Sequence, residues 1–122
     1  MADFQRELQL ATPALEDIAD IFSWTEDHFG QPAQQRYAAL IELASQEILK
    51  TPDRLGCKLA FEGAVNSFAY HLRYSSPRLP KASKVAKPRH FLIFNLAPQH
   101  LTVLRVLHDS MDIEQQLSEE DE

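Results

Sequence analysis

Apolar residues follow two different periods along this chain, and the change from one to the other divides it. Phe4, Leu8 and Leu10 share one face of an alternating stretch, which predicts a short strand over 4–10. A helix start follows: Thr12 is placed to cap, Pro13 suits the first helical position, and Glu16 and Asp17 favour the positive end of the helix dipole. Leu15, Ile18, Phe22 and Phe29 then recur at helical spacing, Ala19 and Ile21 widen the stripe, and Gly30 stops it. Pro32 opens a second helix in which Tyr37, Leu40, Ile41, Ala44 and Ile48 line one face until Thr51 and Pro52 end it. So short a link forces an antiparallel αα hairpin.

Beyond a loop around Asp53 to Gly56 the period changes to that of strands. From Ser67 to Tyr74, Phe68, Tyr70, Leu72 and Tyr74 alternate with Ala69, His71 and Arg73, giving one apolar and one polar or basic face. The prolines and lysines of Ser75 to Pro88 argue against a buried central strand and predict an exposed hairpin excursion or a mobile loop. Phe91 to Phe94 and Leu101 to Leu107 are short apolar runs suited to strands covered on both faces, with a turn at Ala97 to His100. Met111 to Leu117 has the pattern of a short helical turn.

The hairpin must bury its stripe, and the apolar faces of three consecutive strands are the matching surface. The expected fold is a two-layer α+β domain: an N-terminal strand, the αα hairpin, a three-stranded antiparallel sheet and a short C-terminal helical turn. Phe22 and Leu104 are expected at the centre of the contact, where truncation to Ala costs on the order of 2–5 kcal/mol. The length of 122 residues suits one domain, taken as 1–117, with 118–122 (SEEDE) as an acidic tail.

Charge changes this picture more than composition does. No Asp or Glu lies between Glu62 and Asp109, so that window carries +7 and the remainder −13 of a net −6. Its cations are Arg73, Arg78, Lys81, Lys84, Lys87, Arg89 and Arg105. No run nears the ~20 apolar residues a membrane helix needs, and the N-terminus lacks the apolar core of a signal peptide, so a cytoplasmic location is expected. Cys57, the single cysteine, has no partner for a disulfide and is taken as passive. No cofactor is expected.

PRHFLIF (88–94) and LTVLRVLHDSMDIEQQL (101–117), together with Trp24 in the first helix, Pro52 ending the second and the closing pattern L-R-V-L-H-x-x-x-D over 104–112, resemble the RelE/ParE superfamily of toxins, closer to the ParE branch. The resemblance covers most of the chain; the Ser75–Pro88 excursion departs from it. It implies the toxin of a type II toxin–antitoxin pair, a non-catalytic inhibitor of a bacterial topoisomerase, most often DNA gyrase. It also implies silencing by a cognate ParD-like antitoxin whose C-terminal segment wraps the toxin in a hetero-oligomer. Neither direct DNA binding alone nor membrane contact is implied.

The superfamily's RelE-like branch supplies the rival reading, a ribosome-dependent mRNA endonuclease. That chemistry needs groups to activate a ribose 2′-OH, stabilise a phosphorane and protonate the leaving oxygen. Arg73, Arg89, His90, Arg105 and His108 are the candidates, since sequential strands usually neighbour in a sheet. No Tyr follows Tyr74, and an acidic chain docks poorly on ribosomal RNA. A third reading is an inactive homologue that only binds an antitoxin.

For partner binding the candidates are Arg73, Arg89, Arg105, His108 and Asp112. Arg73, Arg89 and Arg105 form an expected exposed basic face, with Leu104 and Val106 on the opposite face from Arg105. His108, Asp109 and Asp112 are metal-ligand types, but three residues on one short stretch do not close a site, so none is assigned to a metal. A structural role is expected instead, His108 ending the strand and Asp112 capping the last helical turn.

Overall fold

The computed structural model describes residues 5–120 and consists of β1 (Glu7–Leu10), α1 (Thr12–Phe29), α2 (Gln31–Lys50), β2 (Lys58–Leu59), β3 (Phe68–His71), β4 (His90–Leu96), β5 (His100–His108) and α3 (Ile113–Glu120). Phe4, assigned to the first strand from sequence, lies outside the described residues. The helical hairpin is as the pattern predicts, with Gly30 between the helices at φ +91°, a conformation that favours glycine. Two details differ. Ala11 rather than Thr12 occupies the cap position, without a side-chain hydrogen bond, and Leu15 and Phe29 face outward while Ala14 and Thr25 are buried.

The strands form one five-stranded sheet in the order β1-β5-β4-β3-β2. Three of them are the antiparallel strands expected. The sheet is larger because β1 adds in parallel along β5, Glu7 to Leu10 opposite His100 to Val103, and because the two-residue β2 pairs with β3. The stretch predicted as one strand over Ser67–Tyr74 ends at His71, and Leu72–Tyr74 turns as a 3-10 helix after the His71 imidazole accepts the Arg73 N–H.

Tyr37, Leu40, Ile41, Ala44 and Ile48 of α2 pack with Tyr70, Leu72, Leu92, Phe94, Leu101, Val103 and Val106 to make the main core. A smaller cluster on the other face of the sheet joins Ala60, Ala69, Ile93 and Leu107 to Ile113 and Leu117 of α3, so α3 covers what the hairpin does not. A β-bulge explains where Leu104 lies. Ile93 pairs with Arg105 but Phe94 pairs with Val103, leaving Leu104 as the extra residue. Alternation therefore breaks at that point. Val103 and Val106 both join the main core, while Leu104 is only partly buried and is not at the centre of the hairpin contact.

The 75–88 segment is exposed over most of its residues, yet it is built rather than looped out. Two 3-10 turns shape it, at Ser76–Arg78 and Lys81–Ser83, and Ser75, Ser76, Leu79 and Pro88 are buried. Glu47 of α2 anchors it, accepting Ser75 Oγ at 2.5 Å and the Arg78 guanidinium at 2.5 and 2.8 Å. Lys84 Nζ donates to the Pro77 carbonyl at 2.6 Å, closing the segment on itself.

Candidate functional site

The ends of β3, β4 and β5 bring five polar side chains to one corner of the sheet. His90 opens β4 opposite His108, which closes β5, and their rings meet edge to face with centroids 5.3 Å apart. Beneath them Tyr37 rises from α2. Its hydroxyl accepts the Arg89 backbone N–H at 3.1 Å and so directs its own proton to His90 Nδ1 at 2.7 Å. Burial lowers the His90 pKa to about 4 and raises that of Tyr37 to about 12, so both are neutral.

Asp109, just beyond β5, is the hub beside this pair. Its backbone N–H donates to the Arg89 carbonyl at 2.8 Å, and its carboxylate receives Arg89 Nη2 at 2.9 Å and Nε at 3.1 Å. His71 Nε2 donates to the same carboxylate at 3.0 Å, while His71 Nδ1 accepts the Arg73 N–H. The Arg89 hydrogen bonds hold the Asp109 carboxyl well below the usual carboxylate range; burial lowers the His71 pKa, against the pull of Asp109. His108 Nδ1 lies 3.6 Å from Asp109 and accepts the Ser110 N–H at 3.1 Å.

Of the residues singled out from sequence, Arg89, His90 and His108 converge here. Arg73 reaches the cluster only through its backbone, its guanidinium lying over the Tyr74 ring, 4.9 Å from the centroid. Arg105 is the clear correction. It does not share an exposed face with Arg73 and Arg89. Its Nε and Nη2 grip Asp17 of α1 at 2.7 and 2.9 Å, with both side chains about five-sixths buried (16% and 15% exposed). The β1–β5 register stops at Leu10 opposite Val103; farther along, the Val106 N–H needs an acceptor, and Asp17 supplies it at 2.9 Å. Asp112 caps α3, its Oδ1 accepting the Gln115 N–H at 3.1 Å.

Sequence reasoning missed Tyr37, His71 and Asp17. Tyr37 reads as core, which it is, and nothing local marks its hydroxyl as a partner of His90. His71 sits at a polar position of a supposedly exposed face, yet its side chain is only 2% exposed, with the Phe91 ring packed edge to face against it. Asp17 does carry a faint signal, an acidic residue next to Ile18 of the apolar stripe. Among the described residues no three of His, Cys, Asp and Glu converge as metal ligands would. Burial pushes the Cys57 thiol up to about 11, away from the reactive thiolate. No described helix is long and apolar enough to cross a membrane.

The sheet order, the hairpin on one face and the polar corner at its end define a small α+β protein of RelE/ParE-like architecture. Residues 8–113 match the family model for the ParE toxin of type II toxin-antitoxin systems, parDE, and the chain belongs to that family. It is therefore a toxin-antitoxin toxin by descent. No curated protein sequence matches it.

Proposed function

We propose that the protein is a non-catalytic cytoplasmic toxin that inhibits a bacterial topoisomerase of the DNA gyrase type by binding it, and that a cognate ParD-like antitoxin neutralises it in a hetero-oligomer. The observation that carries this reading over the nuclease is how the corner's charges are spent. A nuclease needs cations free to meet a phosphate and a ring basic enough near neutral pH to take a proton. Here Arg89 is held by Asp109 and Arg105 by Asp17, and burial leaves His90 a weak base with a pKa of about 4. The Asp109 carboxylate, ionised throughout the neutral range, adds a negative charge where an RNA phosphate would have to approach.

What the corner presents outward suits protein recognition. Arg89 is 58% exposed and His108 36%, on a rigid sheet end. Arg73, exposed with its guanidinium over the Tyr74 ring, offers a further cation to a partner from outside the corner. Arg105 and Asp112 act from behind, one locking the hairpin to β5 and the other starting α3. No cofactor enters this mechanism.

The test is supercoiling of relaxed plasmid by gyrase with the purified protein, beside a ribosome translation assay scored for mRNA cleavage. Lost supercoiling or trapped cleaved DNA with intact mRNA is the expected result. Cleaved mRNA with normal supercoiling overturns it and makes His90, Arg89 and His108 catalytic candidates again. Silence in both assays assigns the chain to toxin homologues that only bind an antitoxin.

A further inference from the structure

The outward ridge of α1 is the part of the surface that neither the core nor the sheet corner explains. Trp24, the single tryptophan of the chain, is 55% exposed there and Phe29 is 66% exposed. The indole is held in place rather than left to swing. His28 Nδ1 donates to the Trp24 carbonyl at 2.8 Å, and its ring stacks on the indole with centroids 4.2 Å apart; Phe29 meets the indole edge at 5.7 Å. With His28 stacked on the indole and Phe29 packed across it, more than half of Trp24 still faces solvent.

Helical spacing sets what surrounds the ring. Glu16, Asp20, Trp24 and His28 form one i, i+4 row, and Asp27 lies three residues beyond Trp24, so carboxylates one turn before and one turn after flank the ring. α1 holds five acidic residues and no Lys or Arg. Asp17 alone turns inward to Arg105. Among the described residues no hydrogen bond or ion pair engages the Glu16, Asp20 or Asp27 carboxylates, in contrast to the inner carboxylates Asp17, Glu47 and Asp109, each held by an arginine. An ordered aromatic face between unpaired carboxylates is the complement of a cation on an apolar stem.

We infer that this ridge is a docking surface for a cationic protein segment, with an Arg or Lys side chain lying over the Trp24 indole between Asp20 and Asp27. A second cation one turn away meets Asp20 and Glu16, so the preferred partner carries Arg or Lys at helical spacing. The surface lies on the hairpin, separate from the Arg89–Asp109 corner, and its partner carries the opposite charge to one that would meet that corner.

The probe is a fluorophore-labelled alanine-based helical peptide with Arg at every fourth position, and its counterpart with Glu at the same places. The expected result is saturable binding of the Arg peptide, weakened by salt and accompanied by a change in Trp24 emission, with the Glu peptide silent. Trp24→Leu should weaken binding, read by peptide anisotropy, about two- to fivefold, the factor for an exposed cation–π contact. Asp20→Asn with Asp27→Asn should weaken it further and flatten the salt dependence. Glu42→Gln with Glu62→Gln removes the same net charge from exposed sites off the ridge and should leave it unchanged.

Equal weakening by that control pair overturns the inference, as do indifference to Trp24→Leu, equal binding of the Glu peptide, or no binding at all. Trp24 emission that varies with protein concentration without peptide, and ceases to in the Asp20/Asp27 variant, overturns it in favour of a second copy of the chain.

Discussion

Asp17 holds together two elements that chain connectivity leaves far apart. Its carboxylate joins a helix to the guanidinium of Arg105, 88 residues on, and to a backbone N–H of β5 that has no strand beside it. Asp17→Ala removes two hydrogen bonds from the Arg105 guanidinium and the acceptor of the Val106 amide, and should cost roughly 1–3 kcal/mol, read as a lower urea midpoint with an unchanged slope. A loss below about 0.5 kcal/mol would mean that solvent replaces the carboxylate. At the other end of β5, His90 sets a pH dependence. Its folded pKa of about 4 lies below the roughly 6.5 of an unfolded histidine, so the unfolded chain takes up a proton first as pH falls. Stability is therefore complete above the unfolded value and is lost across the window from about 6.5 to 4, by on the order of 2–3 kcal/mol. His71, also lowered, adds in the same sense, and Asp109 extends the loss to lower pH. His90→Asn keeps an acceptor for Tyr37 and should flatten the dependence of the urea midpoint on pH across that window; an undiminished slope would assign it to other groups.

The 75–88 segment shows how one carboxylate turns an apparent loop into an element. Glu47, its pKa lowered by the Arg78 hydrogen bonds, holds both Ser75 and Arg78, and buried Leu79 and Pro88 fix the rest. In Glu47→Ala the segment should open locally while the sheet persists. Tryptic cleavage at Lys81 or Lys84 should then accelerate several-fold, with little change in far-UV circular dichroism; unchanged cleavage would show that apolar burial alone anchors the segment. The helices were legible because their periodicity, prolines and stop signals agree, and all five residues assigned to the α2 face are buried. The segment was not, because its anchor sits some 30 residues upstream and composition records only its prolines and lysines. The bulge at Leu104 escaped for a similar reason: it is a mismatch between two strands, visible in neither alone.

The family and overall layering were readable from the chain, but the strand that completes the sheet was not read in its place. β1 looked like a separate preface to the hairpin; it is an edge of the same sheet, parallel to β5, with Glu7 opposite His100. Parallel pairing leaves no local trace, since the partners need no turn between them. The polar corner was half legible for the same reason: Arg89, His90 and His108 come from adjoining strand ends, while Tyr37 and His71 enter from elements whose contacts only the assembled fold defines. That N-to-C closure also governs how the protein can be made. As the chain leaves the ribosome, β1 and the hairpin appear first, with neither the strand that pairs β1 nor most of the apolar surface that covers α2 yet synthesised. A translating ribosome therefore carries an unfinished toxin. Nascent chains stalled short of β5 should be digested by protease, whereas those with β5 clear of the tunnel should resist, so the folded shape is acquired late in synthesis rather than growing with the chain.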